Sequence, residues 1–186
     1  LDEDTPFTPQ PEKAGRVAID HSVLGAKGIC GVVIRPTLIY GRGIGVAATS
    51  IQLPKLIDIA RKAGVPGHVG PGLNIWSNVH IADVVDLFLL ALDKAEPGSL
   101  FYAENGEASF KSVAQSIGRM LGLGERTKSW TIGEAVDVLG PSAYLSFGSN
   151  SRVRGKRSRA LGWAPKQVTL ADEIERGVYA EMHGRS

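Results

Sequence analysis

Gly31-Val32-Val33-Ile34-Arg35-Pro36-Thr37-Leu38-Ile39-Tyr40-Gly41 is a short apolar run, interrupted by Arg35-Pro36 and closed by Tyr40-Gly41. Extended back to Ile29, its β-branched half carries no charge and predicts a strand over Ile29–Ile34. An unbroken run of this kind belongs to a strand buried on both faces, as in a parallel sheet with helices on each side. Proline has no N–H to donate, so Arg35-Pro36 is expected to end the regular pairing. Ligands in open α/β sheets collect outside the C-terminal ends of strands, which makes Arg35–Gly41 a candidate border of a cleft.

Working outward, Glu12–Ala26 has Ala14, Val17, Ala18, Val23 and Leu24 at helical spacing, with Gly25 or Gly28 to end it. Leu1–Pro11 is acidic, holds three prolines and suits a loop. Gly41–Ser50 reads as a loop and Ser50–Ala63 as a helix whose stripe is Ile51, Leu53, Leu56, Ile57 and Ala60. A strand and turn over Val65–Gly72 and a strand over Ile75–Ile81 precede an apolar helix, Asp83–Lys94. Its carboxylates Asp83 and Asp86 suit the positive end of a helix dipole. Leu100–Ala103 is a strand and Phe110–Leu121 a helix capped by Ser109. A helix is also expected over Thr131–Leu139, while Pro141–Phe147 has no clear periodicity. Arg152–Leu161 reads as a short basic helix, and Thr169 caps a last helix over Leu170–Met182. Strands alternating with helices, three or four of them in all, give an α/β class.

The 186 residues carry 43% hydrophobic and 22% charged side chains and a formal net charge of +2. These values are ordinary for a globular domain and argue for neither a nucleic-acid nor a membrane partner. No apolar run approaches the ~18 residues of a spanning helix. The single cysteine, Cys30, cannot form an intrachain disulfide and fits a reducing, cytoplasmic setting. It reads as a small buried hydrophobe more than a nucleophile. The polar, proline-bearing opening without an initiator methionine leads us to expect a piece of a longer polypeptide. No metal-ligand set is expected.

Gly43-Ile44-Gly45-Val46-Ala47-Ala48 matches the dinucleotide fingerprint G-x-G-x-x-A. The context is wrong for it. Arg35-Pro36 ends the strand several residues earlier, and no second strand ending in Asp or Glu follows about 20 residues on. The segment is expected to be a loop. The cluster Arg152, Arg154, Lys156, Arg157 and Arg159 could contact a phosphate or form a solvated helix face.

Arg35–Gly41, Asn78-Val79-His80-Ile81-Ala82-Asp83 and Leu161-Gly162-Trp163-Ala164-Pro165, in this order and spacing, resemble the C-terminal portion of an extended, atypical short-chain dehydrogenase/reductase of the NAD-dependent epimerase/dehydratase family. The resemblance implies the last strands and helices of a Rossmann-type parallel sheet plus a small C-terminal substrate domain. Residues 1–48 would belong to the Rossmann part and 49–186 to the substrate part, interleaved with the last sheet strand near 75–103. It implies NAD or NADP in the intact protein, with none expected on this portion alone. It also implies a small-molecule substrate and a homodimer through the helix at 12–26.

By the same resemblance, Pro36, Thr37 and Leu38 would touch the nicotinamide end of the cofactor. Tyr40, Gln52, Trp76 and Asn78 would line the substrate cleft. The family's catalytic Tyr-x-x-x-Lys pair falls on Glu12 and Arg16, so the spacing survives but the residues do not. Arg16 could still bond ribose hydroxyls. Glu12 cannot imitate a phenol without a large pKa change. An unusual catalyst and a non-catalytic dinucleotide sensor both remain open. His80 could be a general acid or base, or a buried structural histidine. Trp76 stands where nucleotide-sugar epimerases usually carry a diphosphate-binding arginine. A neutral indole cannot make the charge-assisted bonds a diphosphate needs, so it would line an apolar pocket or belong to the core.

Overall fold

The computed structural model describes residues 1–6 and 8–184; Phe7 in the expected opening loop and Arg185-Ser186 at the end lie outside the described residues. A 3-10 turn (Pro11–Lys13) leads into α1 (Ala14–Leu24), followed by β1 (Val32–Pro36), β2 (Leu38–Tyr40), α2 (Gln52–Ala63) and β3 (Gly67–Val69). Then come β4 (Ile75–His80), α3 (Ile81–Lys94), β5 (Ser99–Ala103), β6 (Glu107–Ser109) and α4 (Phe110–Met120). The chain ends through β7 (Lys128–Trp130), α5 (Ile132–Leu139), a π-helical turn (Ala143–Phe147), α6 (Lys156–Ala160), α7 (Leu170–Glu175) and α8 (Val178–His183). The α/β class is as expected.

The opening stretch behaves differently from its sequence reading. β1 starts only at Val32, keeps Pro36, and is buried at Val33 alone. It runs parallel to β5, with Val32 beside Ser99 and Pro36 beside Ala103. At Thr37 the chain changes neighbour. Thr37 sends both its N–H and its hydroxyl to the Ala103 carbonyl, at 3.1 and 3.0 Å, and β2 then runs parallel to β4. The proline does not end the strand; it sits where one ladder hands over to the next. The strands β6, antiparallel to β4, and β7, parallel to β3, are each three residues long and are not expected from the sequence pattern.

Most of the apolar core gathers the inward faces of α2, α4, α5, α7 and α8 around Trp76, Phe110, Trp130 and Phe147. A smaller cluster joins β4, α3 and β5 through Val79, Val84, Leu87, Phe101 and Trp163. The α2 stripe is buried at Leu53, Leu56, Ile57 and Ala60, but Ile51, placed in it by periodicity, precedes the helix and is exposed. α1 buries none of its residues: Ala14, Ala18 and Ile19 are exposed and Val17 is half-buried. Its tie to the sheet is electrostatic, Arg35 bonding Asp20 at 2.7 Å and the Tyr102 hydroxyl at 3.3 Å. Cys30 is exposed, not buried, because the strand begins two residues after it.

Two helices are shorter than their patterns. Residues 151–155 are extended along β4, where the Ser77 hydroxyl accepts from Val153 N–H and donates to its carbonyl, so only α6 remains of the basic helix. The last helix breaks at Arg176-Gly177, where the Glu173 carboxylate accepts from Val178 N–H at 3.2 Å. Among the described residues no helix is long and apolar enough to cross a membrane.

Candidate functional site

The change of partner at Thr37 opens a cleft of about 240 Å³. Pro36, Thr37 and Leu38 form one side, Trp76 and Ser77 of β4 the floor, and Gln52 at the start of α2 an end. Lys13 closes it from the 3-10 turn, and the segment Leu145–Ser151 forms the remaining wall. That wall is fixed from below. The Asn74 amide donates to the carbonyls of Phe147 and Ser149 at 2.8 and 3.1 Å, and Asn150 accepts from Ile75 N–H at 2.8 Å. Gly148 allows the tight return after the π turn, since a Cβ there would lie 2.5 Å from the Ala143 carbonyl.

Trp76 does two things at once. It is 4% exposed, stacks on Phe110 and packs at a tilt against Phe147, with ring centroids 5.2 and 5.3 Å away, and it still borders the cleft. Aromatic stacking of this kind holds the floor rigid.

The expected residues divide. Pro36, Thr37, Leu38, Gln52 and Trp76 come together in this cleft. Asn78 is buried and lines a different cavity, of about 250 Å³, with Asn105, Ser112 and Thr169. Tyr40 does not face the cleft: it is 1% exposed, its hydroxyl donates to the Val168 carbonyl at 2.7 Å, and its ring meets His80 edge-on. Burial pushes the Tyr40 hydroxyl well above its ordinary pKa, with the Asp83 charge adding to it. Glu12 and Arg16 are exposed and do not contribute to the cleft lining. Lys13, between them in sequence, does. Sequence reading missed it, as it missed the wall. The cue for the wall was the run of small polar residues Ser146, Gly148, Ser149, Asn150 and Ser151 after an aperiodic segment.

His80 is a structural residue. It caps α3, its Nδ1 accepting from Ala82 N–H at 3.1 Å. Its ring presses on Gly41, where a Cβ would come within 2.3 Å of Nε2 and where φ is +97°, so the Tyr40-Gly41 pair and His80 form one packed corner. Asp83 is fully buried, and its carboxylate serves the C-terminal tail rather than its own helix. It accepts from the N–H groups of Lys166 and Gln167, while the Trp163 indole donates to the Asp83 carbonyl. Gly43–Ala48 is a loop closed by Gly43 N–H on the Ala48 carbonyl, and α2 starts well beyond it, so no strand–turn–helix phosphate cradle forms there. The cations of the basic cluster are half-exposed and each is paired: Arg152 and Arg154 with Glu107, Arg159 with Glu104, Lys156 with Asp2 and Arg157 with Asp4.

No family model matches the chain. Over 95% of its length it is 30% identical to the protein C2A9.02 of Schizosaccharomyces pombe, of which it covers 57%. The chain therefore spans little more than half of that relative. Among solved structures it superposes on the UDP-glucose 4-epimerase of Thermotoga maritima, determined with UDP-glucose, at a TM-score of 0.72 and 16% identity, covering 98% of this chain and 57% of that one. It likewise superposes on DesIV, the dTDP-glucose 4,6-dehydratase of Streptomyces venezuelae determined with NAD and TYD, at 0.69 and 19% identity, covering 98% and 54%. The chain thus carries, over the length it shares with them, the Rossmann-like fold of the extended short-chain dehydrogenase/reductases of the NAD-dependent epimerase/dehydratase group.

Proposed function

We propose that the intact protein is an NAD(P)-dependent oxidoreductase or epimerase-like enzyme acting on a small hydroxyl or carbonyl compound. The observation that carries this reading is the convergence of Pro36, Thr37, Leu38, Gln52 and Trp76 on one cleft at the strand handover. In this reading a bound nicotinamide supplies hydride chemistry. Pro36–Leu38 orient its ring, and the rigid floor of Trp76 positions the substrate beside it. The cleft is small, and Trp76 replaces a cation at its floor, so a nucleotide sugar is not the substrate we infer.

The test is a fluorescence titration of the full-length protein with NADH and NADPH, followed by turnover on a panel of small carbonyl compounds. We expect micromolar binding and turnover for the full-length protein and no tight binding by the 186 residues alone, since Gly43–Ala48 forms no phosphate cradle. Absence of dinucleotide binding by the full-length protein would sink the proposal.

A second reading is a reductase-fold protein that senses a dinucleotide without chemistry. It is favoured by the exposure of Glu12 and Arg16 outside the cleft lining. Tight dinucleotide binding with no turnover across the panel would select it. In both readings the exposed α1 is where a second copy would pack, and light scattering of the full-length protein tests that separately.

A further inference from the structure

The cations of the basic segment 152–159 are paired with carboxylates. A third cavity, of about 510 Å³, is bordered by Arg154, Lys156 and Arg159, but Glu104 and Glu107 stand in the same lining. Each of those cations also holds a carboxylate partner: Glu107, Asp2 and Glu104 respectively. An anion entering there meets those carboxylates as well as the cations.

The cleft at Thr37 differs. Its described lining contains one ionisable side chain, Lys13, and no carboxylate. The Lys13 ammonium donates to the Leu145 carbonyl at 3.2 Å and forms no ion pair with a described residue. An ammonium has three donors. One is spent on Leu145, which holds the group at the rim, and two remain for a ligand. The neutral groups nearby are also available. The Gln52 amide and the Ser146 and Ser151 hydroxyls hydrogen-bond to no described residue, and Asn150 uses only its oxygen.

We infer that this cleft takes a small, oxygen-rich monoanion, a hydroxy- or oxo-monocarboxylate, with Lys13 holding the carboxylate. This rests on the reading of the cleft as a substrate site. The ammonium is a compact charge with donors to spare for a carboxylate oxygen, and a charge-assisted bond is about twice as strong as a neutral one. The hydroxyls and amides opposite meet the hydroxyl or oxo group. A phosphate ester or a diphosphate brings a second charge for which the lining has no partner.

Isothermal titration of the full-length protein with glycerate, lactate, glycerol, glycerol phosphate and UDP-glucose tests this, without dinucleotide and then with it. Saturable binding of glycerate or lactate is expected, with glycerol at least about tenfold weaker. Lys13→Met should weaken the monocarboxylate about 10- to 100-fold, and Lys13→Arg should keep it within about threefold, since both variants change an exposed side chain. Tighter binding of glycerol phosphate or UDP-glucose, no monocarboxylate binding, or an unchanged Lys13→Met would each overturn the assignment. If dinucleotide binds and carbonyls turn over while monocarboxylates do not bind, only this inference falls. If monocarboxylates bind and no dinucleotide does, the enzyme reading falls and the site stands.

Discussion

Helices α2 and α3 each bury one face, and they treat the other face in opposite ways. α2 buries Leu53, Leu56, Ile57 and Ala60 and turns Asp58, Arg61 and Lys62 to water. α3 buries Val84, Leu87 and Ala91 but leaves Val85, Phe88, Leu89 and Leu92 exposed, Leu92 at 84%. The regions around them follow suit. The helical region closes over its own aromatic core, while the β1–β5–α3 region rests on a smaller cluster and an unburied α1. An amphipathic helix needs one packing surface; a helix apolar on most sides has use for two. The cleft lies between these regions, with its rigid floor and wall from the first and its handover strand from the second.

The strongest test of this contrast is Trp163→Ala. Trp163 is the largest side chain of the smaller cluster and also bonds the Asp83 carbonyl at 2.8 Å. Its loss should cost about 3–5 kcal/mol, read from the shift in urea midpoint. A cost below about 1 kcal/mol would mean that the β1–β5–α3 region is not held by its own core.

A smaller effect should appear in the helical region as pH falls. His68 is buried on β3, bonded to the Gly70 carbonyl and the Thr127 hydroxyl at 2.9 and 3.1 Å. Burial lowers its pKa from the ordinary 6.5, with the Lys111 charge acting the same way and the Gly70 carbonyl opposing. Between its folded pKa and 6.5 the unfolded chain therefore binds a proton that the folded chain does not, and stability falls as pH drops. The slope from one group is at most about 1.4 kcal/mol per pH unit. Urea midpoints at several pH values from neutral downward should show it, and His68→Gln should flatten it. Paired carboxylates such as Glu107, held below the usual range by its hydrogen bond from Arg152, act only at lower pH.

The smallest effect sharpens the comparison most. Leu92→Ser should change the stability of the 186-residue chain by no more than about 0.5 kcal/mol, because the side chain is already in water. In a protein of the relatives' full length we expect a measurable drop in Tm, read by calorimetry. Equal insensitivity in both would show that the apolar face of α3 has no use as a packing surface.

Local pattern carried a good part of this molecule. Ser109, Thr131 and Thr169 all sit at helix starts as their side chains require, each accepting from a backbone N–H three residues on. The α2 stripe and the β4–α3 turn were legible for the same reason: the forces that set them act within a few residues. Pro36, Thr37, Leu38, Gln52 and Trp76 could be named as a group only through their spacing within a resemblance. Lys13 and the Leu145–Ser151 wall could not, because each is far in sequence from what it borders.

The sequence by itself determined most of the helices and the longer strands, where several helices start, and that Glu12, Arg16 and Trp76 depart from the pattern it resembles. Tertiary structure decided the rest. It made Pro36 a handover rather than a stop, turned Tyr40 into the core, sent Asp83 to the tail, matched the basic cluster with distant carboxylates, and brought Lys13 to the cleft as the one ionisable side chain of its described lining. Those outcomes depend on hydrogen bonds and charges between residues remote along the chain, and no local period encodes them.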